Sequence, residues 1–202
     1  MRSLITAALL AVGLAAGAQE SASEAMDADA EGQLCRTNSD EEKREDQLAA
    51  CSRVINDSQK FAHEDRDLAL HIRARTYRDL GRYDEAIRDF TTLIDVSRRE
   101  SDIAPVRKLP NLYSSRAHAH WGNGDLAAAE ADLTSAIIVS KRDIDRAGRY
   151  ERRALFYARI QQPGKALSDF KEALKLDPNG SDRGNSRLYV EELEKRGIRP
   201  TP

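Results

Sequence analysis

From Asp67 to Val96 the small and apolar residues fall at helical spacing along two stretches that meet at Gly81. Ala74 and Tyr77 mark the first stretch, and Ala86, Phe90 and Leu93 mark the second, which Arg82-Tyr83-Asp84 opens. The pattern predicts a pair of amphipathic helices joined by a tight turn. Its order, A-x2-Y-x3-G-x-Y-x2-A-x3-F-x2-L, recurs twice. Ala117, His120, Gly124, Leu126, Ala129, Leu133 and Ala136 hold the same places in a second copy. Ala154, Tyr157, Gln161, Pro163, Ala166, Phe170 and Ala173 hold them in a third, which Asp177-Pro178 ends. The alanines let paired helices approach, Tyr77, Phe90, Tyr157 and Phe170 fill the space between units, and Gly81 and Gly124 relieve the turns. Gln161 replaces that glycine in the third copy, and Pro163 opens the following helix, where proline is tolerated. A fixed order of sizes repeated three times marks a helical repeat array.

The order resembles the tetratricopeptide repeat (TPR) family, over about Gln47 to Asp177. The resemblance implies an all-α fold, a right-handed α-solenoid of helix-turn-helix repeats with a C-terminal capping helix. The expected solenoid runs over 39–180, with a half-unit at 39–57 and full units at 67–98, 110–142 and 147–178. In the half-unit Gln47, Cys51 and Val54 fall where Ala86, Phe90 and Leu93 fall later, and no first helix is evident before them. Terminal repeats are atypical because one face meets water. Residues 181–202 are expected to form the capping helix, about Asn185 to Arg196, and a tail over Gly197–Pro202. Leu188, Tyr189 and Leu193 would cover the core there, with Glu191, Glu192 and Glu194 outward. Gly81 to Gly124 spans 43 residues and Gly124 to Gln161 spans 37. The larger excess falls in the charged, proline-interrupted connection from Arg98 to Pro110, either a solvated linker or a partner loop.

Charge changes the picture at the N-terminal end. Glu20 to Asp46 holds ten acids against three bases, a net of about −7, whereas the chain from Gln47 onward is mildly basic at about +4. Residues 19–38 therefore read as an acidic flexible leader. Residues 1–18, MRSLITAALLAVGLAAGA, carry one Arg, a short apolar run and the small-residue site Ala16-Gly17-Ala18. They read as a signal peptide cleaved before Gln19, too short for a membrane span, which implies no stable membrane insertion afterwards. Arg outnumbers Lys 24 to 8, which suggests a GC-rich bacterium, so the expected location is periplasmic or secreted. In an oxidising compartment Cys35 and Cys51 are expected to form a disulfide, closing a loop of about 17 residues worth about 3 kcal/mol. The absence of a CxxC motif makes it a staple and not a redox centre. Ser39-Asp40-Glu41-Glu42 looks like a capping box at the start of the helix that carries Cys51.

In the family the first helices line a concave groove that binds extended peptides. Helical spacing places His71, Arg75 and Arg78 on that face of the first unit; Ser114, His118 and Trp121, beside Ser115, in the second; and Glu151, Leu155 and Ala158, with Arg152 and Arg159 adjacent, in the third. Four arginines and a tryptophan suit a carboxylate, a phosphate or an acidic peptide. Solvated helix faces are the plainer reading of the same pattern. One subgroup of the family clamps a partner's C-terminal carboxylate with Lys and Asn. The matching places here carry His71, Arg75, Ser115, Gly148 and Arg152, of which only Arg152 fits, so that clamp is not expected.

No nucleophile elbow, zincin motif or dinucleotide fingerprint is present, and His118 and His120 point to opposite sides of one helix. Neither enzyme activity, metal, cofactor nor nucleic acid is expected. The function expected is that of an interaction module or adaptor of the cell envelope, holding a protein or peptide, an acidic one by choice, in its groove. The alternative is a structural subunit that packs through its convex face or the 98–110 loop.

Overall fold

The computed structural model describes residues 27–37, 43–99, 109–180 and 186–201. The expected export segment, the capping box and residues 100–108 of the long connection lie outside them. The chain divides into two compact units, 1–80 and 81–202. Every regular element among the described residues is an α-helix.

The first unit holds α1 (27–36), α2 (Arg44–Asn56) and α3 (His63–Asp79). Helix α1 differs from expectation, because the described part of the leader is helical and not a flexible tail. Ala28, Gly32 and Cys35 share one helical face; Gly32 and Cys35 are buried, and Ala28 packs on the core of Ala50, Cys51, Val54, Phe61 and Ala69. The supposed half-unit is therefore a complete helix pair. Cys35 and Cys51 are bonded, and they stand sixteen residues apart, the same interval that separates Ala154 from Phe170 and Ala117 from Leu133. The disulfide thus occupies the small/large core pair of an ordinary repeat. Gln47 seals the turn between the helices: its amide donates to the carbonyls of Cys35 (2.9 Å) and Thr37 (2.6 Å) and accepts from the Thr76 hydroxyl (3.1 Å). Asp57 accepts from the amides of Gln59 and Lys60 and turns the chain towards α3.

The second unit comprises α4 (Tyr83–Arg99), α5 (Leu109–Gly122), α6 (Leu126–Ile138), α7 (Asp143–Arg159), α8 (Pro163–Leu176) and α9 (Ser186–Lys195). Gly81 and Gly124 have φ of 74° and 83°, the left-handed turns expected of them, and Gln161 adopts the same region at 59°. Asp125 caps α6 by accepting from the Ala128 amide at 2.9 Å. Helices α3 and α7 each start four residues before the expected boundary, where Glu64 and Asp65, or Asp143 and Asp145, complement the positive helix end. Ala117, Leu133, Ala154, Phe156, Tyr157, Leu167 and Phe170 form one core with Leu193 of α9.

The cap differs in detail. Leu193 is buried, and the Tyr189 ring stacks on Phe170 at 4.9 Å, but Leu188 is exposed and Val190 packs inward instead. The C-terminal stretch is fastened and not a loose tail. Ile198 packs on the core, the Thr201 amide donates to the Gly164 carbonyl (3.2 Å), and the Ser168 hydroxyl donates to the Thr201 carbonyl (2.6 Å). Arg98, expected at the start of the long connection, is helical, and its guanidinium donates to the Tyr113 hydroxyl. No described helix is long and apolar enough to cross a membrane.

Candidate functional site

The ten residues picked from helical spacing fall on three helices. His71, Arg75 and Arg78 lie on α3 in the first unit. Arg75 is exposed, but Arg78 forks onto its neighbour Asp79 at 2.9 and 2.7 Å, so its charge is already answered. The other seven lie on α5 and α7 of the second unit, and there six of them meet. Ser114, His118 and Trp121 of α5 and Arg152, Leu155 and Arg159 of α7 line one open cavity of about 290 Å³. Ser115 is half-buried beside it on α5 and does not line it.

The cavity is built around Trp121, the only tryptophan in the chain. Its indole meets Phe156 edge-on at 6.1 Å, lies against the His118 ring at 5.9 Å, and carries the Arg159 guanidinium over its face at 5.2 Å. Trp121 therefore both packs and lines the site. Ala117, Leu133 and Phe156 complete the apolar floor. Spacing missed Phe156 because its repeat-equivalent places hold Thr76 and Ala119, so the repeat pattern marks no aromatic there. Ser114 keeps its hydroxyl on the Pro110 carbonyl at 2.9 Å.

One helical turn before Arg152, Arg149 spans the α5/α7 seam and donates to the Asn111 side-chain oxygen at 2.7 Å. Its Nε is buried without a hydrogen-bond partner. Burial first and the neighbouring Arg152 second push its pKa below the ordinary arginine value. His120, by contrast, turns away from the cavity to within 3.9 Å of Asp132. Among the described residues no cluster of three His, Cys, Asp or Glu could hold a metal ion.

An all-α helical repeat with an aromatic, arginine-edged cavity between successive first helices is the class of protein that this geometry defines. Residues 69–99 and 147–179 match the tetratricopeptide repeat family model. Over those two segments the chain is similar to tetratricopeptide repeats. Among solved structures it is similar to nearly identical TPR-like repeats from a Podosopora anserina protein assigned as a kinesin light chain. That likeness is at 16% identity and TM-score 0.59, covering 83% of this chain and 92% of that one. It is also similar to the first TPR of Spaghetti (RPAP3) bound to the HSP90 peptide SRMEEVD, at 25% identity and TM-score 0.47, covering 64% of this chain and 94% of that one. No curated protein matches the chain.

Proposed function

We propose that this protein is an exported bacterial envelope adaptor that holds a protein or peptide partner on the α5/α7 face. The observation that carries the reading is the convergence of Ser114, His118, Trp121, Arg152, Leu155 and Arg159 on one cavity. Helical spacing alone places each of these residues on or beside the first-helix faces of its repeat. An open recess of about 290 Å³ lies at the bottom of the range for small-molecule sites, roughly 300–1,000 Å³. It suits one large side chain of a partner better than a cofactor. The disulfide and the short apolar N-terminal run support an oxidising, extracytoplasmic location.

The test replaces Leu155, exposed on this face, with a photo-crosslinking residue in the living host, with Leu188 on α9 as the control position. Crosslinks from 155 and not from 188, abolished by Arg152→Glu, are expected. Equal capture from both positions removes the α5/α7 face and favours assembly through another surface. Export is tested by N-terminal sequencing of the mature chain, which is expected to begin at Gln19; a cytoplasmic chain still carrying Met1 overturns it.

A further inference from the structure

Helix α7 and its N-cap carry six arginines, and four are matched. Arg142, at its cap, holds Asp145 through both carboxylate oxygens (2.7 and 2.8 Å), Arg146 holds Asp143, and Arg153 holds Asp169. Arg159 lies over Trp121. Glu151, the acid next to Arg152 in sequence, is turned to the Ser186 hydroxyl of α9. Arg149 and Arg152 remain, and among the described residues neither makes an ion pair. Arg149 is half-buried at the seam with only a neutral amide oxygen for a partner. Burying a guanidinium beside a second one without an anion is unfavourable, and a carboxylate arriving from outside relieves both terms at once.

Resting on the reading of the α5/α7 face given above, we propose that the partner is an extended segment bearing an Asp or Glu two residues from a large apolar side chain. The carboxylate sits at Arg149 and Arg152, and the apolar side chain fills the recess between Trp121, Leu155 and Phe156. The spacing follows from the helix. Arg149 to Arg152 rises about 4.5 Å, and Arg152 to Leu155 about the same, at 1.5 Å per residue. The midpoint of the arginine pair thus lies about 7 Å along α7 from Leu155. In an extended chain, side chains that point the same way are two residues apart, about 6.6 Å at 3.3 Å per residue. Both guanidiniums rise from one helix, which suits a carboxylate projecting sideways from a passing chain. That is a side-chain acid within the segment and not a chain end.

The test is a selection of random dodecapeptides displayed on phage against the full chain. The selected sequences are then titrated as synthetic peptides, each in amide-capped and free-acid form, while Trp121 emission is read. The expected winners carry the acid and the apolar residue two apart. Neutralising the acid (Asp→Asn or Glu→Gln in the peptide) is expected to weaken binding at least tenfold, as is Arg152→Gln in a protein that melts like wild type. Winners that shift Trp121 emission yet keep their affinity after neutralisation overturn the acidic partner and leave the binding face standing. Winners that bind only with a free C-terminal carboxylate overturn the side-chain assignment. Winners unaffected by Leu155→Glu, or no enrichment over an unrelated control protein, overturn the face as well.

Discussion

Arg153 of α7 grips both carboxylate oxygens of Asp169 on α8, at 2.7 and 2.9 Å, and reaches the Thr134 hydroxyl of α6 at 2.8 Å with its remaining terminal nitrogen. The same three-way contact recurs one repeat earlier. Arg116 of α5 forks onto Asp132 of α6 at 2.8 Å twice and reaches Thr91 of α4 at 2.9 Å. In both cases the Arg and Asp are sixteen residues apart, the Asp immediately precedes the large core residue, and the Thr follows that residue of the preceding unit. One side chain therefore locks the pair internally and fixes the pair against its predecessor. The arginine is held charged above its ordinary pKa by the hydrogen bond to its aspartate, against a smaller opposing effect of burial.

With side-chain exposures of 17% and 7%, the Arg153–Asp169 pair is nearly dry. Asp169→Ala strands a guanidinium in that setting and is expected to cost about 3 kcal/mol. For a chain of this size that is roughly 6–12 °C in melting temperature. The double change Arg153→Met with Asp169→Leu removes both charges and is expected to recover most of the loss. Calorimetry on the three proteins decides it; a single variant that melts with wild type means the fork contributes nothing to stability.

The triple array is visible in the sequence because each repeat sets a small, an aromatic and a turn residue at fixed places, and packing needs those sizes. Helix α1 is hidden for the opposite reason. Its inward face is only Ala28, Gly32 and Cys35, set among Asp27, Asp29 and Glu31, so its charge speaks louder than its periodicity. The signal that could have found it is the interval from Cys35 to Cys51, equal to that from Ala74 to Phe90. The docked C-terminal stretch leaves little side-chain pattern, since beyond Ile198 it is held through backbone groups of Gly164 and Thr201 and the Ser168 hydroxyl. The arginines of the candidate site were legible as a stripe. Which of them already had partners was not, because side-chain conformation decides that Arg78 folds onto its neighbour Asp79, and Arg159 meets Trp121 on another helix.

Because the disulfide stands in place of a repeat's small/large core pair, its loss has two effects. It frees a loop of about 17 residues, worth about 3 kcal/mol, and it leaves two small thiols where a large side chain would pack. A reductant is expected to lower the melting temperature of the first unit and to speed hydrogen exchange in 27–36 first. Cys35→Ala with Cys51→Leu, which writes the Ala117/Leu133 pair into that position, is expected to melt above the reduced wild type. A double variant no more stable than the reduced chain shows that the register equivalence carries no packing energy.

At Gly164 in the first turn of α8, a Cβ would stand 2.8 Å from the Thr201 hydroxyl oxygen and 2.9 Å from the Arg199 carbonyl oxygen. Gly164→Val is therefore expected to push residues 199–201 off the helix while leaving α8 formed. Limited digestion with carboxypeptidase should then trim the variant to about Ile198 while wild type resists. The stability change is expected to stay under about 2 kcal/mol, as only the edge of the core is touched. A digestion pattern identical to wild type shows that the stretch is not held there.

Glu130 of α6 accepts from the Tyr157 hydroxyl of α7 at 2.8 Å and from Lys165 Nζ of α8 at 3.2 Å, so one carboxylate ties three helices. The Tyr157 bond first, then Lys165, hold its pKa below the ordinary 4.5, with burial opposing them. Burial first, and the same contact second, drive the Tyr157 hydroxyl pKa upward. A carboxyl whose folded pKa is depressed gives stability that is present above its unfolded value and lost as pH falls through the folded one. Wild type is therefore expected to lose stability below about pH 4.5 through this group. Glu130→Gln keeps the acceptor for Tyr157 but cannot titrate, so its stability should fall less steeply over that range, starting from a lower value at neutral pH. About a third of the Glu130 side chain is exposed, so solvent screening keeps the difference small, and urea denaturation at pH 3 to 7 resolves it better than heating. Parallel curves for the two proteins across that range would mean that Glu130 titrates alike in the folded and unfolded chains, and that the three-helix tie is not felt by its charge.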